Sequence, residues 1–338
     1  MQGGSVARTF LQLPGWHVRG ITRNPSGAAA EALTTEGVEI VQGDLDDKQS
    51  LVKAFKGANV IFSNTDFFAH FFYAMKPEAK LPAGRSAGKH AYEREVEQGV
   101  NIAEAAESPS VLKTLERFVM SSLSDATKWS GGKYTSLYHF DSKAEMLRVT
   151  RERCPGVASK MSTLQLGHYV NNWKNLAKLG PQKQSDGSYI MTRTSPPSFK
   201  MPFVVAEQDT GPFVKVLVDM PAGKDAVAVS EYMTFPEWAE IWGRVHGVKI
   251  QYKQVSNEEL FEGIPDDFMR EIRDGFDYIN DFGFTGGDPD VLEPSQVSTT
   301  SAHILYHLLI ASQLEYKVPV TTMEEYIKNE DWSSILST

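Results

Sequence analysis

A single cysteine, Cys154, stands in 338 residues, so no disulfide can form within the chain. That usage fits a reducing compartment, the cytoplasm or the nucleus, rather than a secreted fold held by disulfides. Nothing near Cys154, which precedes Pro155, would stabilise a thiolate, so it reads as an inert thiol. Excess positive charge is also lacking: 34 Lys and Arg stand against 43 Asp and Glu, a formal net charge of −9. Proteins that hold nucleic acid directly usually carry a basic face, and no Lys/Arg run supplies one. Long apolar runs are scarce too. The longest, around Ile304–Ala311, is far short of the roughly 20 residues that span a bilayer, and no charged-then-apolar stretch stands at the start. Neither a membrane nor nucleic acid is expected as a partner.

What is present has the composition of a globular protein, 41% hydrophobic and 23% charged, long enough for one large or two ordinary domains. Apolar Val6, Phe10 and Leu13 mark a helix that Pro14-Gly15 stops. His17–Thr22 follows as a strand, Ala28–Glu36 as a helix and Val38–Val41 as a strand. Leu51, Val52 and Phe55 line the next helix, and Val60-Ile61-Phe62 the next strand. The aromatic, Gly- and Pro-containing stretch Phe67–Arg85 reads as a long loop, of the kind used as a lid or binding loop. Tyr92–Glu107 and Tyr138–Arg153 read as helices, Arg117–Ser121 and Ser162–Leu166 as strands.

Strands alternating with helices at this pace predict an α/β fold, a Rossmann-like doubly wound parallel sheet over residues 1–166. Beyond it Pro196, Pro197, Pro202, Pro212 and Pro221 break the rhythm. Residues 167–338 are therefore expected as a smaller α/β domain capping the carboxyl ends of the strands, where ligands bind in open α/β folds. The opening Gln2-Gly3-Gly4-Ser5 reads as the tail of a phosphate-binding turn, which in βαβ units brings a helix N-terminus to a pyrophosphate. The strand expected before that turn is not in the sequence.

Arg23 lies twenty residues after Gly3, at the end of the second expected strand. An acidic residue there would bind the 2′-hydroxyl of NAD, whereas an arginine accommodates the 2′-phosphate of NADP; the competing reading is a solvated loop arginine. Asp44, after the next strand, is placed to approach an adenine, though Asp at a strand end is also ordinary turn chemistry. On the expected helix, His139 and Lys143 share one face at i, i+4. A Tyr-x-x-x-Lys pair in this position drives short-chain dehydrogenases, the lysine holding the nicotinamide ribose. Here the tyrosine position holds His139, and Tyr138 points about 100° away. His139 is able to act as a general acid; alternatively it is structural, and Lys143 holds ribose with no acid beside it.

Gln2-Gly3-Gly4-Ser5-Val6-Ala7, Thr22-Arg23-Asn24-Pro25, Gly43-Asp44-Leu45-Asp46-Asp47, His139-Phe140-Asp141-Ser142-Lys143 and Gly167-His168-Tyr169-Val170-Asn171-Asn172 together resemble NmrA-like proteins, atypical short-chain dehydrogenases. The resemblance implies a Rossmann fold that binds NADP, with NAD as the second choice. It implies contacts from Gln2 and Gly3 to the pyrophosphate, and from Arg23, Asn24, Pro25, Ser26 and Gly27 to the 2′-phosphate side. Asp44 and Leu45 would lie at the adenine, and Thr65, Asp66 and Phe67 at the fourth strand end. Lys143 would hold the ribose, with Gly167, His168, Tyr169 and Val170 near the nicotinamide. No metal is implied. Family members place a strand and Gly-x-x-Gly-x-Gln-Gly first, and Met1 falls just before that Gln; the expectation is an incomplete gene model or a poorly stable fragment, with strands 2 and 4 lacking a shared neighbour. Val297–Gln313 departs from the family as well, and reads equally as an amphipathic helix or a translated short intron.

Some members of this family sense the dinucleotide ratio and regulate partner proteins; others are reductases. The absent tyrosine favours a redox-sensing regulator with a protein partner. The alternative is an NADP-dependent oxidoreductase using Lys143, His139 or Tyr169 on a small aromatic or polyketide-like substrate, for which Phe67, Phe68, Phe71, Phe72 and Tyr73 would be suitable neighbours.

Overall fold

The computed structural model describes residues 1–297 and 318–337; most of the segment Val297–Gln313 considered above lies outside them. Five parallel strands form the main sheet in the order β13-β10-β5-β4-β3. They are β3 (Val60–Ser63), β4 (Arg117–Ser122), β5 (Met161–Leu166), β10 (Asp225–Ala228) and β13 (Val291–Leu292). Strand β5 is buried along its whole length and β4 nearly so, as a sheet covered on both faces requires. Alternation along β4 shows how. Val119 joins the core under α1 (Gln2–Leu11) and α7 (Ala206–Asp219), whereas Phe118 and Met120 join the core under α5 (Ala87–Glu107) and α6 (Tyr138–Arg153).

The helix α1 starts the chain and buries Ser5, Ala7 and Phe10. Its seat on α7 is glycine-dependent: a Cβ on Gly211 would come within 2.1 Å of Thr9 Oγ1 and 2.5 Å of the Ser5 carbonyl oxygen. The Ser5 hydroxyl then bridges the two helices, donating to the Gln208 carbonyl at 2.8 Å and accepting from the Gly211 amide at 2.9 Å.

Strands β1 (Arg19–Thr22) and β2 (Glu39–Gln42) pair in parallel but form a sheet of their own, not joined to β3. Side chains bind the small sheet's loops to α5 instead: Gln98 donates to Asp46 at 2.9 Å, Asn101 to the Leu45 carbonyl at 2.9 Å, and Lys48 pairs with Glu104 at 2.7 Å.

Two elements differ from the sequence reading. The stretch read as a long loop begins with a helix, α4 (Phe67–Ala74). Asp66 caps it by accepting from the Ala69 amide at 3.1 Å, and Phe67, Phe71 and Ala74 bury against Ala87 and Ala91 of α5. Eight residues of nearly continuous apolar and aromatic character give no helical periodicity to read. Helix α5 also starts five residues earlier than expected, because Ser86 accepts from the Lys89 amide and caps it.

The later residues supply two three-stranded sheets besides β10 and β13. One has the order β11-β9-β6, from β6 (His168–Tyr169), β9 (Lys200–Val204) and β11 (Glu231–Thr234). The other has the order β12-β8-β7, from β7 (Gln182–Lys183), β8 (Tyr189–Arg193) and β12 (Ile250–Gln254). With α8 (Phe235–His246), α9 (Asp266–Phe282) and α10 (Met323–Asn329) they enclose a core rich in tryptophan, including Trp173, Trp238, Trp242 and Trp332. No helix among the described residues is long and apolar enough to cross a membrane.

Candidate active site at the strand ends

The carboxyl ends of β3, β4 and β5 open toward α4, α6 and α9, and the side chains singled out from the sequence divide into two groups around them. Lys143 belongs to the first. It is 8% exposed, and its ammonium reaches the Thr65 carbonyl at 3.1 Å, the Thr65 hydroxyl at 2.6 Å and Glu95 Oε1 at 2.7 Å. Glu95, from α5, is fully buried and also accepts from the hydroxyls of Thr65 and Ser142. A buried ion pair survives only when its remaining valences are satisfied, and here they are. All three ammonium hydrogens have acceptors within the protein.

One turn earlier on α6, His139 meets a second buried carboxylate. Glu271, on α9, is 2% exposed. It accepts from the backbone amides of His139 at 2.8 Å and Tyr138 at 3.3 Å, and lies 2.6 Å from His139 Nδ1. The carboxylate thus caps the start of α6, where unpaired amides and the helix dipole favour negative charge. It also fixes the ring with hydrogen on Nδ1. His139 Nε2 has no hydrogen-bond partner among the described residues, and the side chain is 18% exposed.

Aromatic rings surround this dyad. His139 lies 5.3 Å from Phe68 and 6.0 Å from Phe67 between ring centres. Phe268 of α9 closes on Phe71 at 5.8 Å and Phe72 at 5.4 Å. Tyr138 turns elsewhere, against Tyr92 at 5.9 Å, toward a cleft of about 550 Å³ on another side of α6 that neither His139 nor Lys143 lines. That cleft is therefore not where the paired acid and base groups are.

Gly167 follows β5 where a Cβ would come within 2.3 Å of the Pro202 carbonyl oxygen, so only glycine lets the two backbones pass. His168 then sits among Phe203, Phe235 and Phe276 at 5.7, 6.1 and 5.8 Å. Desolvation, with a smaller push from Arg193, brings its imidazole down to about 3. Tyr169 is pushed up to about 12 by burial and accepts from Gln2 Nε2 at 2.6 Å, while Gln2 Oε1 is buried without a partner. Val170 is 7% exposed and belongs to the large core. Asp66 serves as the cap of α4, and Phe67, 3% exposed, packs beneath it.

The second group sits on the small sheet. Arg23, Asn24, Pro25 and Ser26 are exposed in the turn after β1. Ser26 donates to Asn24 Oδ1 at 3.1 Å, and the Gly27 amide to the Asn24 carbonyl at 3.2 Å. The Arg23 guanidinium makes no ion pair or hydrogen bond among the described residues. Asp44 accepts from the Asp46 amide at 3.0 Å, and its own amide donates to Ser50 at 2.9 Å; Leu45 packs partly into the core under α5. Around Gly3 there is open space.

Sequence reasoning missed Glu95, Glu271 and Phe268. Glu95 left a trace, because it stands on the buried stripe Ala91, Glu95, Gln98, Ile102 of α5. Glu271 left none, as it meets His139 across 132 positions. No cluster of His, Cys, Asp or Glu suited to a metal occurs among the described residues.

The parallel sheet with helices on both faces, open at its strand ends, defines an α/β protein of Rossmann-like architecture. The chain matches the NmrA-like family over residues 1–327 and belongs to it. It is 27% identical over 281 residues to the NmrA-like family domain-containing oxidoreductase cpsB of Aspergillus campestris, covering 78% of this chain and 76% of that one. It is likewise 27% identical over 313 residues to the oxidoreductase hkm9 of Aspergillus hancockii, with coverage of 89% and 85%. Among solved structures, the negative transcriptional regulator NmrA in complex with NADP superimposes with a TM-score of 0.67 at 19% identity, covering 97% of this chain and 92% of the other.

Proposed function

We propose that the protein is an NADP(H)-dependent oxidoreductase acting on a small aromatic substrate. The observation that carries this reading is the His139–Glu271 dyad. A ring held at Nδ1 by a buried carboxylate at 2.6 Å, with Nε2 unbonded beside aromatic rings, has the arrangement of an oriented proton donor. The names of the curated relatives, all oxidoreductases in the cases given above, support the same class. The residues present fit a dinucleotide: Arg23, exposed and without an ion pair among the described residues, and the open space at Gly3 suit phosphate groups, and the orphaned Gln2 Oε1 could accept from a ribose hydroxyl. Arg23 and its turn would hold a 2′-phosphate, Gly3 would lie at the pyrophosphate with Gln2 beside it, and the turn at Thr65, ordered by Lys143, would lie at the ribose near the nicotinamide.

A bound nicotinamide would supply hydride to an electrophilic carbon. As an imidazolium, with Nδ1–H held by Glu271, His139 would deliver the Nε2 proton to the substrate oxygen or imine nitrogen and be left neutral, and Phe67, Phe68 and Phe268 would exclude water. Lys143 and Glu95 would order the Thr65 turn. The test is NADPH oxidation by the purified 338-residue chain against aromatic aldehydes, ketones and imines. Turnover should fall about a hundredfold or more in His139→Phe, with NADPH affinity retained. Turnover that is unchanged in that variant would remove His139 from the reaction.

A second reading, a dinucleotide sensor acting through a protein partner, is favoured by one observation. Lys143 has no ammonium hydrogen left over for a reacting group. Tight NADP binding without turnover, accompanied by a changed protease pattern, would decide for it.

A further inference from the structure

Among the described residues two side-chain cations are buried beside the strand ends, and only one of them has a carboxylate. Lys143 has Glu95; Arg193, on β8, is 4% exposed and has none among the described residues. The Arg193 guanidinium donates to the carbonyls of Thr192, at 2.7 Å, and Leu179. Its Cζ lies 4.6 Å from the centre of the Phe235 ring, within the range of a favourable cation–π contact. Its Nε hydrogen has no acceptor. Carbonyl oxygens and a ring face solvate a cation only in part, and a buried charge without a counter-ion is costly.

The arginine lines a small cavity of about 10 Å³ together with His168, Phe203, Phe235 and Trp238. Trp238, from α8, is 2% exposed and its indole Nε1 is a second buried donor without an acceptor. Both orphaned atoms of the lining are thus donors, and they ask for an acceptor. A single water would fit this volume and satisfy them, but it would leave the positive charge unbalanced. An anionic oxygen answers both demands. The cavity's position gives the anion a role, since His168 directly follows Gly167 at the end of β5, where open α/β folds bind their ligands. His168 itself, held neutral by its apolar setting, adds no competing charge.

We propose that this cavity is an anion subsite that receives the oxygen end of one carboxylate of the substrate, with Arg193 and Trp238 as its donors. The proposal rests on the reading of the crevice as a small-molecule site, and it narrows the substrate class to aromatic compounds bearing a carboxylate.

The probe is benzoate, titrated into the purified full chain and followed by tryptophan fluorescence, with benzamide and chloride as comparisons. Benzoate should bind saturably and benzamide should not. Arg193→Met should weaken benzoate about tenfold or more, and Trp238→Phe, which keeps the ring and removes one donor, about threefold to tenfold. Trp238→Phe decides the matter if Arg193→Met fails to fold. Equal binding of benzamide, saturation by chloride but not benzoate, or benzoate affinity unchanged in Trp238→Phe would each overturn the subsite. No cofactor enters this measurement. Absent NADPH turnover with intact benzoate binding removes the enzymatic reading alone, and turnover without benzoate binding removes the subsite alone.

Discussion

Two histidines stand near the strand ends in different surroundings. His139 has a buried carboxylate at 2.6 Å, whereas His168 has aromatic rings and the positive charge of Arg193, which bring it to about 3. The consequence for stability follows from linkage. Between pH 6.5, the ordinary value for an unfolded chain, and about 3, the unfolded chain binds a proton that folded His168 refuses. Stability is therefore fully present above that window and is lost as pH falls through it, at on the order of 1 kcal/mol per pH unit. Replacing His168 by Gln should flatten this part of the acid limb, read as the difference in urea unfolding between pH 7 and pH 5 for the two proteins. A wild-type and variant difference that does not change between those pH values would contradict the desolvated ring. Residue-level chemistry was legible in the sequence where neighbours along the chain make it. The i, i+4 placement of His139 and Lys143 needed only helical geometry. The partners that define both side chains, Glu271 and Glu95, come from other helices and no spacing announces them.

At the scale of the element, β3, β4 and β5 were the most readable feature, because continuous burial of β4 and β5 forces runs such as Phe118-Val119-Met120, whereas β10 and β13, which join the same sheet from beyond residue 166, were not read as strands. Helix α4 was unreadable for the opposite reason. An aromatic run that packs on several sides, against α5 on one and Phe268 on another, leaves no polar face to reveal a period. Packing of α1 on α7 is a further case, since the decisive residue is Gly211, in a helix that also holds Pro212. Gly211→Ala should cost about 1–3 kcal/mol, because the clash is with the Ser5 backbone as well as the Thr9 side chain. Pairing it with Thr9→Ala should return only part of that loss, which equilibrium unfolding of the single and double variants would measure. The cap of α3 (Lys48–Phe55) is simpler. Asp47 accepts from the Gln49 and Ser50 amides, and Asp47→Ala should cost about 1 kcal/mol by the same measurement.

Across the whole molecule the sheet is divided, and stability should be divided with it. Strands β4 and β5 lie between neighbours in a five-stranded ladder, while β1 and β2 have only each other, and two strands alone are marginal in water. Native-state hydrogen exchange should therefore find the slowest amides in β4 and β5, and those of β1 and β2 opening at lower free energy. Equal protection in both sheets would mean that the contacts of Gln98, Asn101 and Lys48 with the small sheet's loops replace a ladder in full.

That division also bears on what a long ligand does to the protein. Arg23 and Asp44 stand at the ends of β1 and β2, Thr65 and Lys143 at the larger sheet, and no backbone ladder joins the two bodies. A dinucleotide reaching both would act as a cross-brace, and the work of holding the bodies together would appear in its binding isotherm. Half of such a molecule cannot brace anything. Adenosine 2′,5′-bisphosphate and nicotinamide mononucleotide, each at saturation, should together raise the melting temperature less than NADP does alone, so the thermal shift would measure the span of the ligand rather than the number of its contacts.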